Sequence, residues 1–513
     1  MKWIVKVLIV FVLLSYSVGA LLSQNYNRIR PPHLFDYEFQ IFDSTNQGYF
    51  LFTPFDREVP AYAQAFKPLP LIMDENGYVL WYGSDTIPGG IMDLKYLDAQ
   101  DQYLFLAYLP SQNTVGFLLN AEMQTIDTIF PHGGNAMDQH DLIIRPNNVR
   151  TQIRVTDSVF DLSSDTILGA PGLATSHCRC YILQELDASD QLQWEWNSCA
   201  HLHPRLGYDF FGYNPGDFNY AHLNSLSIDD VGNYLLSFRH MSAVVKVNRQ
   251  TGNVDWILGG KANQFTFTNT AAFTAQHYAQ VLPNGNISIF DNALLSANTD
   301  SRAIQLEIDT FNMTATEVFA YTGGVGCHSP AMGSYQVTDS VQLINYGVIN
   351  RPWPSAELID ANKQVHKRIY FQDSVMSYRG ILYHPKAPFP RPEVRCIEEQ
   401  GIVYLTAPEG FDEYLWSNGD TSRRVIPLVN ETYQVWVNYG IGMLGSEPFE
   451  TGSSFPCLPV SATPYTSGSN GQATLRLIGY YDLLGRKVNA RKSNHVYIER
   501  FSNGLSRKVL FVE

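Results

Sequence analysis

Short apolar runs alternate with polar turns along most of the chain, and their spacing predicts pairs of antiparallel strands. The clearest case is the segment 217–240, DFNYAHLNSLSIDDVGNYLLSFRH. Here HLNSLSI alternates apolar and polar residues, DDVGN has the composition of a turn, and YLLSFRH is typical of a second strand. His222 and Arg239 lie at similar distances before and after this turn, so we expect them at the same end of the hairpin. An imidazole beside a guanidinium would suit an anion.

This pattern of two strands joined by a polar turn recurs six times. The copies are FQIFDSTNQGYFLF, LKYLDAQDQYLFLA, DLIIRPNNVRTQIRV, SLSIDDVGNYLLSFR, AQVLPNGNISIFDN and SYQVTDSVQLINYG. Each copy is followed by a second phrase, such as DENGYVLWYG or NAEMQTIDTIF, in which a polar turn precedes a short strand. Six four-stranded units predict an all-β fold with a six-bladed β-propeller over residues 35–388. A stack of β-sandwiches is the alternative, and the regular six-fold pairing favours the propeller.

Three histidines occupy the same position of this repeat. His140 opens HDLIIRPNN, His222 opens HLNSLSIDDVGN and His277 opens HYAQVLPNGN, in units three, four and five. Equivalent positions on neighbouring blades face the central axis at one mouth of the channel. We therefore expect the three imidazoles to converge there, with Arg239 beside them.

The C-terminal part of the chain has a different pattern. Residues 393–457, which include EYLWSNGDTSRRV and ETYQVWVNYG, predict a small immunoglobulin-like β-sandwich. A linker rich in Ser, Gly and Thr begins at Ala462, and the chain ends in a small hairpin-rich module. Residues 462–513 are therefore predicted to form a linker and a terminal β domain.

The N-terminal residues MKWIVKVLIVFVLLSYSVGA predict a secretory signal peptide over residues 1–20. Two lysines precede a short apolar run, and small residues near Ala20 form a plausible cleavage site. A transmembrane anchor is the alternative, but the uninterrupted apolar run after Lys6 ends near Leu14 and is too short to span a bilayer comfortably. We expect no stable transmembrane anchor and a secreted or cell-surface protein.

Charge and cysteine content narrow the function classes further. The formal net charge is −14, and the absence of a basic tract in the sequence argues against a nucleic-acid partner. In an exported protein the six cysteines can form disulfides. One candidate pair is Cys396 with Cys457, and the other is Cys199 with either Cys178 or Cys180.

The predicted cluster supports three kinds of function. The first is an enzyme acting on an anionic ester, because neutral imidazole is a nucleophile near its ordinary pKa of roughly 6.5. A guanidinium would hold sulfate or phosphate oxygens, and a second imidazole could transfer a proton. The second is a zinc or copper centre held by three histidines, which the nearby arginine disfavours, so no metal is expected. The third is a non-catalytic propeller that binds a ligand.

The ordered motifs DFNYAHLNS, SFRH, TGNVDWILGG and QHYAQVLPNGN resemble the bacterial arylsulfate sulfotransferase family. The resemblance extends over about residues 139–379 and includes MGS at Met332 and YRG at Tyr378. It implies a six-bladed propeller that moves a sulfuryl group from an aryl sulfate donor to a phenolic acceptor without a nucleotide-sulfate cofactor. Members of the family use a ping-pong route through a sulfurylated histidine. An aryl sulfate hydrolase on the same site is the alternative enzyme.

Carried over by motif, this resemblance makes His277 the nucleophile. His222 and Arg239 would bind and neutralise the sulfuryl oxygens. His140 would orient the group or assist proton transfer.

Weaker roles are expected for residues around these four. Asn224 and His240 lie in the same motifs. Asp291 and Asn292 should lie at the hairpin end beside His277, where either could orient its imidazole. Aromatic residues that could stack on an aryl ring, or pack in the core, are Tyr220, Phe238 and Tyr278.

A second resemblance lies at the C terminus. The motifs YYDLLGRKV, VYIERFSNG and SRKVLFVE are similar to the C-terminal sorting domains of the type IX secretion system of Bacteroidetes. This resemblance implies that the type IX secretion machinery is a partner and that the protein crosses the outer membrane. A stabilising terminal β module is the alternative.

Overall fold

The computed structural model describes residues 24–44, 48–56, 69–84, 90–109, 114–134, 137–208, 213–296 and 300–452, together with four strands between residues 477 and 511. The predicted signal peptide and the start of the predicted linker lie outside the described residues. In the described part, helical structure is limited to the α-helix Ser198–His201 and the 3-10 turns His132–Gly134 and Pro204–Leu206. The fold is all-β, as the sequence predicts.

Six four-stranded antiparallel sheets, called blades one to six in chain order, surround a common axis. In blades two to six the first strand lies innermost, and the innermost strands of successive blades pack side by side in a closed circle. Hydrogen bonds join these strands: the backbone N–H of Ala279 donates to the hydroxyl of Ser225, and that of Leu226 donates to Asp141. This arrangement is a six-bladed β-propeller.

Each blade contains four strands, ordered below from the innermost strand outward, and in blades two to six these strands follow one another along the chain. Blade one contains Val375–Tyr383, Tyr49–Asp56, Leu71–Met73 and Val79–Gly83. Blade two contains Gly90–Leu97, Gln102–Tyr108, Thr114–Leu119 and Thr125–Ile129. Blade three contains Met137–Ile144, Arg150–Phe160, Ser176–Leu186 and Leu192–Asn197, with the short ribbon of Thr166–Ile167 and Ala170–Pro171 inserted. Blade four contains Leu223–Ile228, Tyr234–Phe238, Ala243–Val247 and Val254–Gly259. Blade five contains His277–Val281, Ile287–Asp291, Arg302–Asp309 and Thr314–Tyr321, with Thr266–Thr268 as a parallel edge strand. Blade six contains Ser334–Val337, Gln342–Asn345, Ala356–Ile359 and Val365–Phe371.

The ring closes by pairing strands from the two ends of the propeller segment. Val375–Tyr383, from the C-terminal end, is the innermost strand of blade one and pairs with Tyr49–Asp56. Tyr37–Ile41 pairs with Val365–Phe371 at the outer edge of blade six, and Gln24–Asn27 pairs with Tyr37–Ile41. The sequence pattern predicts a local hairpin of FQIF with GYFLF, and that prediction is wrong. Each of these strands instead binds a strand from the C-terminal end of the propeller, which joins the two ends of the ring through backbone hydrogen bonds.

Hydrophobic clusters fill the space between neighbouring blades. Leu235 and Leu236, consecutive in blade four, are buried on opposite faces, with Leu236 in the cluster shared with blade three and Leu235 in the cluster shared with blade five. Equivalent clusters lie between the other pairs of blades. Because alternate residues face opposite sides of a sheet, a blade covered on both faces needs apolar residues at consecutive positions, as at Leu235 and Leu236 of YLLSF.

One predicted disulfide is present in blade three. Cys180 is bonded to Cys199, which confirms one of the two pairings that the sequence left open. Cys178 and Cys327 are buried free thiols. Cys396 is also disulfide-bonded, and its predicted partner in the C-terminal region lies outside the described residues.

Two small sheets after the propeller enclose a core of their own. One sheet contains Arg395–Glu399, Ile402–Thr406 and Arg424–Val425, the other contains Tyr414–Trp416, Val435–Tyr439 and Gly442–Gly445, and Thr432–Tyr433 pairs with Phe449–Glu450. Leu405 and Trp416 are fully buried in this core. Gly442–Gly445 also pairs with Val79–Gly83, so the region continues the sheet of blade one. Its assignment as an immunoglobulin-like domain stays a prediction.

The terminal unit Pro459–Glu513 is compact by itself. Its described strands are Leu477–Tyr481, Lys487–Val488, His495–Phe501 and Ser506–Phe511, which form one antiparallel sheet. The assignment of this unit as a sorting domain stays a prediction.

Candidate active site

The inner strands of blades three, four and five depart from regular pairing where their histidines lie. The register shifts beside His140, His222 and His277, which marks a β-bulge in each strand. His222 itself has a φ of 52°, a left-handed conformation that a non-glycine residue keeps only where its surroundings hold it. A bulge turns side chains out of the normal strand alternation. The three imidazoles all line one cavity on the propeller axis.

This cavity has a volume of about 630 Å³, which is ordinary for a small-molecule site. Its lining combines imidazoles, guanidinium groups and other polar side chains with apolar and aromatic ones. The lining includes His140, His222, His240, His277, Arg239, Met92, Met137, Met332, Tyr108, Tyr181 and Tyr378.

The hairpin of blade four brings His222 and Arg239 opposite each other, as its sequence predicts. The backbone N–H of Arg239 donates to the carbonyl oxygen of His222 at 2.9 Å. The guanidinium donates to the carbonyl oxygen of Pro330 at 3.1 Å, and Arg239 is only 6% exposed. Burial lowers the pKa of Arg239 to about 10, so this side chain remains a cation at neutral pH.

The side chain of Asn292 fixes the tautomer of His277. Both N–H groups of the Asn292 amide donate to carbonyl oxygens, of Ser329 at 2.8 Å and of Met332 at 2.9 Å. The amide oxygen therefore faces Nδ1 of His277 at 2.7 Å, and Nδ1 must carry the proton. Nε2 is then the nitrogen with the lone pair, and the backbone N–H of Met332 donates to it at 3.2 Å.

The electrostatic surroundings keep His277 neutral. Burial lowers the pKa of its imidazole well below 6.5, and the charge of Arg239 lowers it further. The hydrogen bond with Asn292 opposes these effects but does not outweigh them. His277 therefore combines a neutral ring with an acceptor nitrogen beside a buried cation, which is the state required of a nucleophile.

Asn219 fixes the tautomers of two further histidines, with the proton on Nε2 of His222 and on Nδ1 of His240. Its side-chain oxygen accepts from the backbone N–H of His222 and from the hydroxyl of Tyr181, both at 3.1 Å, so its amide N–H faces Nδ1 of His222 at 3.4 Å. Nε2 of His222 is then an N–H donor. The carbonyl oxygen of Asn219 accepts from Nδ1 of His240 at 2.5 Å. The rings of His222 and His240 stack with centroids 4.6 Å apart.

Burial also lowers the pKa values of these two histidines. For His222 the fall below 6.5 is large, and His140, His240 and Arg239 add to it. For His240 burial, with help from Arg239, lowers the pKa to about 4. Both rings are neutral at physiological pH, so Arg239 supplies the positive charge among these three side chains.

His140 differs from the other cavity histidines because its ring contacts a carboxylate. Nδ1 of His140 lies 2.5 Å from Oδ1 of Asp138, and the same oxygen accepts from the backbone N–H of His140 at 2.8 Å. The ring lies edge-on to His222, with centroids 4.8 Å apart, and 5.7 Å from the ring of Tyr378.

A buried network of charges forms the next layer along the channel axis. Arg379 pairs with Asp93 at 2.6 Å and with Asp141 at 3.2 Å, and Lys95 pairs with both carboxylates at 2.7 Å. Asp93, Asp141 and Arg379 each directly follow a residue that lines the cavity. Two cations and two anions balance, so this layer adds no net charge beside the cavity.

Two of the predicted polar residues lie behind the cavity wall. The side-chain N–H of Asn224 donates to the carbonyl oxygen of Gln276 at 2.8 Å, so Asn224 ties blade four to blade five. Asp291 is fully buried and pairs with Arg302 at 2.7 Å. Of the two candidates for orienting the nucleophile, Asn292 rather than Asp291 makes the contact.

The three predicted aromatic residues do not line the cavity. The hydroxyl of Tyr220 donates to the carbonyl oxygen of Leu202 at 2.7 Å, inside the core between blades three and four. Phe238 is buried in the same cluster. The ring of Tyr278 lies 4.9 Å from the guanidinium of Arg379, in the layer below.

Several cavity residues were not assigned roles from the sequence. Asp138 and Asn219 stand two and three residues before a predicted histidine, and that spacing was the available signal. Met332 and Tyr378 lie in motifs that carry the family resemblance. Arg179 also lines the cavity, and no sequence motif marks it.

The part of the chain that the structure describes contains no group of three or more His, Cys, Asp or Glu side chains arranged to hold a metal ion. The same residues include no helix that is long and apolar enough to cross a membrane.

Similar solved structures share little sequence with this chain. A protein of unknown function from Bacteroides caccae is 11% identical with a TM-score of 0.40, covering 65% of this chain and 98% of its own. An inactive virginiamycin B lyase from Staphylococcus aureus, solved with quinupristin, is 8% identical with a TM-score of 0.33, covering 80% and 98%. A putative 6-phosphogluconolactonase from Bacteroides uniformis is 9% identical with a TM-score of 0.36, covering 79% and 98%. No curated protein matches the chain.

A sequence model of one family matches most of the propeller. The arylsulfotransferase (ASST) model covers residues 43–379, which is more than half of the chain. This span contains all the cavity residues named above, from Met92 to Tyr378. The chain therefore belongs to the arylsulfotransferase family.

Proposed function

We propose that this protein transfers a sulfuryl group from an aryl sulfate to a phenolic acceptor through a covalent intermediate on His277, without a nucleotide cofactor. One observation carries the proposal: His277 has a fixed neutral tautomer with its lone pair at Nε2, in the same cavity as the buried cation Arg239.

In the first half-reaction Nε2 of His277 attacks the sulfur atom of the aryl sulfate. The N–S bond forms while the bond from sulfur to the aryl oxygen breaks, and the oxygen leaves with the electron pair. The imidazole becomes cationic, and its Nδ1–H remains bonded to the amide oxygen of Asn292, which stabilises that charge.

In the second half-reaction a phenolic oxygen attacks the same sulfur atom. The N–S bond breaks, its electron pair returns to Nε2 of His277, and the acceptor gives up its hydroxyl proton. The neutral starting tautomer is restored because the Nδ1 proton stays in its hydrogen bond to Asn292 throughout. A single site thus serves both donor and acceptor, as a ping-pong reaction requires.

Three groups are suited to hold the sulfuryl oxygens in the transition state. The guanidinium of Arg239 supplies positive charge, and the neutral ring of His222 presents Nε2–H as a donor. The backbone N–H of Met332, which donates to Nε2 of His277 in the free site, becomes available for a sulfuryl oxygen when Nε2 attacks sulfur. One correctly placed donor in a site without water is worth about a hundredfold in rate.

The apolar part of the cavity suits the aryl group. Met92, Met137, Tyr181 and Tyr378 line the same cavity as the imidazoles. Thioether and aromatic surfaces bind an aromatic ring through dispersion and edge contacts. A cavity that combines cationic and imidazole side chains with apolar and aromatic ones suits an aryl sulfate better than a small inorganic anion.

We also propose that the protein acts outside the cytoplasm, at the cell surface or after secretion, with the type IX machinery as its exporter. The Cys180–Cys199 disulfide supports an oxidising compartment. The predicted signal peptide and terminal sorting domain point the same way.

The direct test is an assay with 4-nitrophenyl sulfate, with and without phenol. The wild-type protein should release nitrophenol faster when phenol is added, and His277→Ala should abolish release. His177→Ala, which changes an exposed histidine of blade three, is the matched control and should retain activity. Equal release with and without phenol would indicate a hydrolase. Unchanged release by His277→Ala would overturn the proposal.

A further inference from the structure

We propose that Asp138 is a positioning residue that makes His140 the group that donates and accepts the proton in both half-reactions. This inference rests on the proposed sulfuryl transfer. Its starting observation is the pair of contacts from Oδ1 of Asp138, to Nδ1 of His140 at 2.5 Å and to the backbone N–H of His140 at 2.8 Å.

The hydrogen-bond partner of its ring distinguishes His140 from His222 and His277. Nδ1 of His277 faces the neutral amide of Asn292, and Nδ1 of His222 faces the neutral amide of Asn219. A neutral amide fixes a tautomer and stabilises a cationic ring less than a carboxylate does. The carboxylate of Asp138 does both, because it accepts the Nδ1 proton and balances the charge of a protonated His140.

The position of Asp138 relative to His140 is set by the chain itself. Asp138 lies only two residues before His140 on the inner strand of blade three and is 9% exposed. Since one carboxylate oxygen holds both the backbone and the ring of His140, the ring cannot turn without losing that bond. Nε2 is left as the nitrogen that can exchange a proton.

The ring of His140 lines the same cavity as the ring of His277. His140 and His277 come from blades three and five and flank His222 of blade four. The His140 and His222 rings are 4.8 Å apart, and the apolar side chains Met92 and Tyr378 line the same cavity. An aryl sulfate attacked from the side of His277 can therefore direct its leaving oxygen away from blade five, toward His140.

The number of protons on the enzyme is the same before and after one catalytic cycle. As the bond from sulfur to the aryl oxygen breaks, Nε2–H of protonated His140 passes its proton to that oxygen, and a neutral phenol leaves. His140 is then neutral, with Nδ1–H still on Asp138. When the acceptor phenol attacks sulfur, its hydroxyl proton moves to Nε2 of His140, and the N–S bond to His277 breaks. The enzyme returns to its starting state with no net gain or loss of protons.

The test compares two aryl sulfate donors whose leaving groups differ in their need for protonation by a general acid. Nitrophenolate is a stable leaving group, whereas unsubstituted phenolate needs protonation. In Asp138→Asn, which keeps the side-chain shape and an oxygen acceptor, single-turnover sulfurylation by phenyl sulfate should fall about a hundredfold, the usual contribution of general acid catalysis. Sulfurylation by 4-nitrophenyl sulfate should fall only a few-fold on the same reasoning.

The ratio of the phenyl sulfate rate to the 4-nitrophenyl sulfate rate decides the test. Both rates are measured on the same protein sample, so an unfolded fraction lowers both equally and does not change their ratio. Asp138→Glu, which keeps the charge, should recover part of the phenyl sulfate rate. Asp157→Asn, an exposed aspartate of blade three, is the matched control and should leave the ratio unchanged. An equal loss for both donors in Asp138→Asn would overturn the inference, since a structural role would affect both alike.

Failure of this inference can be told apart from failure of the proposed function. Under the inference, Asp138→Asn still forms the covalent adduct on His277 when given 4-nitrophenyl sulfate. If wild type forms no such adduct, the proposed function itself fails. If wild type forms it and the donor ratio of Asp138→Asn equals that of wild type, only the role of Asp138 fails.

Discussion

The amide oxygen of Asn292 lies 2.7 Å from Nδ1 of His277, and both amide N–H groups of Asn292 are held by carbonyl oxygens. The carboxamide cannot rotate without losing two hydrogen bonds, so it specifies which nitrogen of His277 carries the proton. The two bonds from its amide N–H groups join a strand end of blade five to the loop that enters blade six.

Replacing Asn292 by alanine should slow sulfurylation of the enzyme. The cationic ring formed on His277 would lose a charge-assisted hydrogen bond, and the tautomer would no longer be fixed. We expect a loss of about tenfold to a hundredfold in the single-turnover rate with 4-nitrophenyl sulfate. Asn284→Ala, in the exposed turn of the same hairpin, should leave this rate within about twofold of wild type, as surface substitutions usually do. A wild-type rate in Asn292→Ala would contradict the assigned tautomer role.

Arg239→Met should change both the rate and its pH dependence. Burial and then Arg239 lower the pKa of His277, so removing the guanidinium should raise that pKa toward its ordinary value of 6.5. The rate of sulfurylation falls when His277 is protonated, and the acid limb of the pH–rate profile should therefore move to higher pH.

The profile of wild type provides the comparison for this shift, and Arg395→Met, an exposed arginine outside the propeller, provides the control. The maximal rate of Arg239→Met should also fall by about a hundredfold, as for loss of one charged donor. An acid limb at the same pH in wild type and Arg239→Met would show that the two side chains are not coupled.

The charged layer under the cavity should make the fold sensitive to substitution of Arg379. Arg379→Met leaves two buried carboxylates, Asp93 and Asp141, with only Lys95 to neutralise them. Breaking a buried ion network by removing one partner costs about 3 kcal/mol or more. Urea unfolding should report a lower midpoint for Arg379→Met than for Arg395→Met, and equal midpoints would contradict the structural role.

The same layer should lose its stabilising effect in acid. Burial raises the pKa of Asp141, but Lys95 and Arg379 lower it more, from an ordinary 3.8 to about 2. A carboxyl group with a depressed pKa stabilises the fold above its unfolded value, and this stability is lost as the pH falls from about 4 toward 2. Unfolding midpoints measured over this range should decline, and Arg379→Met should show a smaller decline because Asp141 is less depressed there.

The disulfide of blade three should contribute measurably to stability. Cys180 and Cys199 are separated by 19 residues, and closing a loop of this length is worth about 3 kcal/mol through the unfolded state. Without a reducing agent, the double variant Cys180→Ser/Cys199→Ser should unfold at a lower urea concentration than wild type. A midpoint equal to that of the oxidised protein would exclude this contribution.

The repeat in the sequence was sufficient to predict the blade count and the meeting of three histidines. Both depend on a period that is visible in one chain, since His140, His222 and His277 occupy equivalent positions in consecutive units. The sequence also predicts that His222 and Arg239 face each other. The two residues lie at similar distances from the turn of one hairpin, and the turn sets the register of a short hairpin.

Ring closure and side-chain direction were not predictable in the same way. Tyr37–Ile41 binds a strand more than three hundred residues away in the chain, and nothing local distinguishes that partner from a hairpin neighbour. Tyr278 follows His277 directly inside a β-bulge and has a φ of 50°, so strand alternation does not predict which way it faces. The tautomer of His277 depends on Met332 and Asn292, which only the folded ring brings together.

Locating the covalent intermediate is the most direct test of transfer through His277. Wild-type protein mixed with 4-nitrophenyl sulfate in the absence of acceptor should gain ~80 Da, the mass of one sulfuryl group on a nucleophilic histidine, and fragmentation should locate it on the peptide containing His277. Addition of phenol should remove the adduct. Steady turnover without any adduct, or an adduct on another residue, would contradict transfer through His277.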